Sequence, residues 1–140
     1  MAILAQATPW EIADGLAAVG EFIEHVDVRP PETGLVMVRG RIGGDGAPFN
    51  VGEATVTRCA VQLPSGEIGF SYALGRDRDK ARLAALCDAL WQSEAHRDAI
   101  ECHVLVPVRE RLEREREQVA RRTAATRVDF FTMVRGEDQP

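Results

Sequence analysis

The sequence predicts an α+β fold: a single domain over residues 1–140 with a mainly antiparallel sheet, an N-terminal helix, a helix after the main hairpins and a charged C-terminal helix. Three observations carry this. Residues 35–41 and 54–63 are rich in aliphatic and β-branched residues, as strands are, and flank a glycine-rich loop. Ile68, Phe70, Tyr72 and Leu74 alternate with Gly69, Ser71, Ala73 and Gly75, a period of two. Residues 78–92 and 108–123 carry helical spacing instead.

In chain order, Thr8-Pro9-Trp10-Glu11 predicts a helix start, with Thr8 as N-cap, Pro9 at the first helical position and Glu11 placed to return a hydrogen bond. Ile12, Leu16 and Val19 supply its apolar stripe, and Gly20 stops it. Phe22, Ile23, Val26 and Val28 predict an irregular strand over 21–29, after which Pro30-Pro31 and Gly34 turn the chain into the central hairpin. The hairpin loop gathers Gly43, Gly44, Gly46, Pro48 and Gly52 with Asp45 and Asn50, residue types that tolerate positive φ or tight turns.

Pro64-Ser65-Gly66 introduces the alternating strand over 67–75, whose second face is nearly bare, so that a helix or another chain can approach it closely. Asp77 caps the next helix, with Leu83, Leu86, Cys87 and Leu90 toward the core. Residues 93–98 read as a polar connection or a further short turn of helix, and 102–106 as a short strand ended by Pro107. From Val108 to about Thr123, Glu110/Arg114 and Arg111/Glu115 stand at i,i+4 spacing, and only Val108, Leu112, Val119 and Ala120 are apolar. This helix is expected to lie in solvent or along a partner.

A chain of 140 residues with 45% hydrophobic and 28% charged content can bury one core without a metal or disulfide. Its net charge of −5 argues against general nucleic-acid binding, which needs a basic face. Cys59, Cys87 and Cys102 are three, widely spaced and without a CxxC pair, which predicts reduced thiols and a cytoplasmic setting. Residues 1–16 lack a basic n-region and meet Pro9 and Glu11 early, predicting neither signal peptide nor membrane span.

Arg39, Arg41 and Arg58 flank the glycine loop in sequence and are the candidate anion-binding residues, with Gly43, Gly44 and Gly46. The loop lacks GxxxxGK[ST] and sits between strands, so a structural hairpin loop with surface arginines is the competing reading. His25, His96 and His103 are dispersed, and adjacent Cys102 and His103 would point to opposite faces of a strand, so no metal site is expected. Cys59 has no local base, and Glu53 and Asp45 read as surface carboxylates. No catalytic constellation is visible, and no cofactor is expected in this chain. Val128, Phe130, Phe131, Met133 and Val134 concentrate apolar mass in the tail over 127–140, which predicts fold-back on the sheet or docking on a partner.

Three runs, TGLVMVRGRIGGDGAPFNVGEATVTR (33–58), GRDRDKARLAALCDALWQ (75–92) and RVDFFTMVRG (127–136), together resemble the PhnG subunit family of the bacterial carbon-phosphorus lyase core complex. Relatives carry a further polar segment ahead of the counterpart of Ile3-Leu4-Ala5, and contacts made by it are not carried over. The resemblance implies a non-catalytic subunit of a complex that displaces adenine from ATP by an alkylphosphonate, giving α-D-ribose 1-alkylphosphonate 5-triphosphate. It implies PhnH-, PhnI- and PhnJ-like subunits and an ATPase-like PhnL as partners, with the PhnI-like subunit as catalyst of this step. Two other readings stay open on the residues alone: a stand-alone phosphate-ligand-binding module and a charged-helix interaction protein.

Overall fold

The computed structural model describes residues 1–20 and 23–126. The described residues up to Glu110 form one compact unit and those from Arg111 onward belong to a second. The first opens with a short helix, α1 (Ala2–Gln6), which the sequence reading did not anticipate, and α2 (Pro9–Val19). The predicted capping box at α2 is present: Glu11 N–H donates to Thr8 Oγ1 (3.2 Å), and the Glu11 carboxylate accepts from Thr8 N–H (2.7 Å). Ile12 and Leu16 are buried and Val19 half-buried.

Three strands, β1 (Val26–Arg41), β2 (Pro48–Gln62) and β3 (Ile68–Leu74), form one antiparallel sheet in the order β1-β2-β3. The strand expected over 21–29 starts only at Val26, and Phe22 lies outside the described residues. Pro30-Pro31 does not turn the chain: β1 runs through it, with register shifts between Asp27 and Arg29 and between Arg29 and Glu32. The position explains this, because an edge strand can leave two residues without N–H donors and a bulge absorbs the misfit. The loop is also shorter than expected, since β2 begins at Pro48 rather than Ala54.

β3 pairs with β2 only from Val56↔Leu74 to Gln62↔Ile68, whereas the β1–β2 ladder continues from Leu35↔Thr55 to Arg41↔Pro48. At about 3.3 Å per residue the two-stranded part extends roughly 23 Å past β3. The sheet thus has a three-stranded root and a two-stranded tip.

α3 (Arg78–Gln92) packs on the root, capped as predicted by Asp77, whose Oδ1 accepts from Lys80 N–H (2.8 Å). It lies on the bare face of β3, where Gly69, Ser71 and Ala73 are buried. A Cβ on Gly69 would stand 2.1 Å from Ala85 O and 2.3 Å from Ala89 N, so the backbones meet there. The helix answers with Ala81, Ala84, Ala85 and Ala89, all buried, while Leu83, expected in the core, is only half-buried. α3 side chains also close the free edge of β3: Asp88 Oδ2 accepts from Phe70 N–H (3.0 Å), and Gln92 Nε2 donates to Ile68 O (2.9 Å). Arg82 reaches Asp27 at the base of β1 (2.8 Å).

The strand expected over 102–106 is helical instead: α4 (Arg97–Ile100) passes through a π-helical turn (Glu101–Leu105) into α5 (Val106–Ala125). The wider turn, with Val106 N–H donating to Glu101 O, admits Pro107 without breaking the helix. α2 lies against this turn at Gly15, where a Cβ would meet His103 O at 2.6 Å and Val104 Cγ2 at 2.7 Å. Ile100, Val104 and Val108 are fully buried. In the second unit, Arg111 donates to Glu115 (2.9 Å), Arg121 lies 3.8 Å from Glu117, and Val119 is exposed, as the charged sequence predicts. The tail residues Val128, Phe130, Phe131, Met133 and Val134 lie outside the described residues.

Candidate functional site

The hairpin tip holds most of the residues singled out for binding. Ile42 to Gly46 closes in a turn with Gly46 N–H on Ile42 O (3.1 Å), and Gly43 (φ 63°) and Gly44 (φ 85°) adopt consecutive left-handed conformations that favour glycine. A side chain at Gly46 would stand 2.7 Å from Ile42 O. Arg41 Nη1 donates to Gly46 O (3.3 Å) and so braces the loop. Arg39, opposite Asn50, is exposed two residues before it. Two arginines and the three glycines are therefore brought together.

Arg58 is not part of that group. It pairs across the root with Glu32, about ten residues along β2 from Pro48 and roughly 33 Å away. Its Nε and Nη2 both donate to Glu32 Oε2, at 3.2 and 3.1 Å. The convergence of three arginines expected from their sequence positions is replaced by two separate sites.

The tip is also apolar. Leu35, Met37, Val38, Ile42, Phe49 and Val51 are all exposed, Met37 to 61% and Ile42 to 76%. Exposed apolar side chains in such density on a narrow ribbon mark an interaction surface. At the root, the sheet face away from α3 exposes Phe70 (58%), Tyr72 (50%) and Leu74 (74%), the bulky series of β3. A cleft of about 430 Å³ opens there, lined by Val28, Arg29, Arg58, Ala60, Phe70 and Tyr72 among others. Neither surface was recognised from sequence. The tip is hidden in the sequence because the strands read there as 35–41, 54–63 and 67–75, whereas β1 and β2 run to 16 and 15 residues against 7 for β3. The cleft depends on cross-strand register, which sequence spacing does not supply.

Among the described residues no group of three or more His, Cys, Asp or Glu side chains is arranged to hold a metal ion. Cys59 and Cys87 are buried and Cys102 is exposed. Burial pushes the Cys87 thiol up to about 12, and burial followed by the Asp27 charge raises that of Cys59, so neither is poised as a thiolate nucleophile. Among the described residues no helix is long and apolar enough to cross a membrane.

Residues 1–136 match the PhnG family, described as phosphonate metabolism protein PhnG. The chain is 55% identical over 138 residues to the α-D-ribose 1-methylphosphonate 5-triphosphate synthase subunit PhnG of Rhizobium meliloti (strain 1021), covering 99% of this chain and 88% of that relative.

Proposed function

The chain belongs to the PhnG family, and from that premise we propose that it is a non-catalytic subunit of a ribose 1-methylphosphonate 5-triphosphate synthase complex acting in phosphonate utilisation. The observation that carries this reading is the 55% identity across nearly the whole chain to a relative named as a subunit of that synthase. In the proposed transferase reaction, an oxygen of methylphosphonate forms a bond to C1′ of the ATP ribose, the bond from C1′ to the base nitrogen breaks, and adenine leaves with a proton. The nucleophile is a substrate oxygen, so the reaction asks no side-chain nucleophile of this chain. That agrees with the two buried, raised thiols.

The proposed role is structural support. The two-stranded tip inserts its apolar residues among neighbouring subunits, with Arg39 and Arg41 meeting an acidic surface or an anionic group of the substrate. The partners are PhnH-, PhnI- and PhnJ-like subunits and an ATPase-like PhnL, the PhnI-like subunit carrying the base displacement. The setting is cytoplasmic, and the chain needs no cofactor of its own. The tail over 127–140 is proposed as a second docking segment.

The test is an omission assay with ATP and methylphosphonate. Adenine release is expected from the complex containing this chain, and none from the complex lacking it or from the isolated chain. Turnover by the pure chain would overturn the non-catalytic role, and full activity without it would overturn the subunit role.

A further inference from the structure

The root cleft has a composition of its own. Sheet register sets two rows of residues side by side on the face away from α3: Arg29, Ala60 and Phe70 in one, Glu32, Arg58 and Tyr72 in the next. Ala60 is the small residue of the first row. With neighbouring strands about 4.8 Å apart, a methyl group sits between a guanidinium stem and an aromatic ring whose Cα atoms are roughly 10 Å from each other. The recess exists because the central strand carries alanine where its neighbours carry long side chains.

The recess is chemically two-sided. Phe70 and Tyr72, two residues apart on one face of β3, offer ring surface on one side. Arg29 stands on the other, on β1, and Arg58 flanks the recess from the central strand beside Tyr72. Among the described residues no carboxylate lines the cleft itself. Arg58 is shared with Glu32, whereas no ion pair among the described residues involves Arg29. Two guanidiniums beside an apolar recess in a chain of net charge −5 fit an anion attached to a flat, apolar group. The volume of about 430 Å³ falls in the range of small-molecule sites.

We propose that this cleft binds a nucleoside polyphosphate, its base stacked against Phe70 and Tyr72 and its phosphates held by Arg29 and Arg58. Stacking on aromatic residues of a sheet face is tolerant of base identity, because every base presents a π face. Bidentate guanidinium contacts then hold the phosphates. The site lies wholly within residues 1–110 and is independent of the hairpin tip, so binding does not depend on assembly with other subunits.

The full-length chain titrated with ATP, adenosine and tripolyphosphate tests this. Tyr72 is the only tyrosine, so its ring resonances report on the cleft directly. ATP is expected to shift them and to bind more tightly than adenosine or tripolyphosphate. Tyr72→Ala and Arg29→Ala should each weaken ATP binding about tenfold with an unchanged circular dichroism spectrum. Glu32→Gln should strengthen it by releasing Arg58. No ring shift at millimolar ATP would overturn the proposal, as would tripolyphosphate binding as tightly as ATP. Loss of co-purification with other subunits in the Tyr72 and Arg29 variants, without ATP binding by the parent chain, would make the cleft a subunit contact instead.

Discussion

The root and the tip of the β1–β2 ribbon are one continuous ladder with opposite surroundings. At the root, β2 gains a third strand and a helix, and Val56, Thr57, Cys59, Ala60 and Val61 are buried. At the tip, the same two strands continue without either, and Leu35, Met37, Phe49 and Val51 face outward. Backbone pairing alone does not distinguish them. The root holds together through small residues that let backbones approach, and the large apolar residues of the tip contribute little to this chain's own core. Stability and interaction are therefore carried by different residue sizes in different places.

This comparison makes graded predictions. Gly69→Val should have the largest effect on stability, because its Cβ alone would stand 2.1 Å from Ala85 O and 2.3 Å from Ala89 N. Overpacking of this kind costs about 3 kcal/mol, and urea denaturation followed by tryptophan fluorescence should show it. A Gly69→Val chain with wild-type stability would mean that α3 is not seated on β3 as described. Gly15→Ala comes next. Helix propensity alone favours alanine by about 1 kcal/mol, but contacts of 2.6 Å to His103 O and 2.7 Å to Val104 Cγ2 oppose it. With a steric cost of about 2 kcal/mol, the net should be a loss of about 1 kcal/mol, reversing the usual sign in the same denaturation assay.

Glu101→Gln should have a smaller, pH-dependent effect. The hydrogen bond from Arg109 (2.8 Å) holds the Glu101 carboxyl below its ordinary value of 4.5, with Trp91 Nε1–H as a second donor (3.2 Å). Because the folded value is the lower one, the contribution is full above pH 4.5 and is lost as pH falls through the folded value. Both side chains are more than a third exposed, so solvent screening limits the gain to less than about 1 kcal/mol. Thermal melts should separate wild type from Glu101→Gln at neutral pH and converge in acid. The smallest stability change, within about 0.5 kcal/mol, is expected for Met37→Ser combined with Val51→Ser, measured in the same melts, together with loss of co-purification with the other subunits. If this pair destabilises the isolated chain as much as Gly69→Val does, the contrast between root and tip fails.

Much of the fold was legible because it is written locally. The Thr8-Pro9-Trp10-Glu11 cap, the Asp77 cap with the helix from Arg78 to Gln92, and the alternation along β3 all rest on neighbours within one turn or one pleat. The failures share a different origin. Pro30-Pro31 reads as a turn until it is known to occupy an edge strand, and residues 102–106 read as β-prone until a π turn and the packing of Val104 place them in a helix. At the candidate sites, Arg39 and Arg41 were correctly placed beside the glycine loop. Arg58 was misplaced because closeness in a hairpin depends on how far each strand runs beyond the turn.

The two prolines in β1 have a consequence for the life of the newly made chain before it meets the partners proposed for it. A strand of 16 residues on the outside of a sheet is a template on which other copies can grow as fibrils. Pro30-Pro31 removes two adjacent donors from that template, and the flanking register shifts distort it, so templated growth along the root is interrupted. The tip has no comparable gatekeeper in β1 between Leu35 and Val38. A newly made chain is thus protected at the root and vulnerable at the tip, so that, on the proposed subunit role, synthesis in step with its partners should govern how much survives as usable protein.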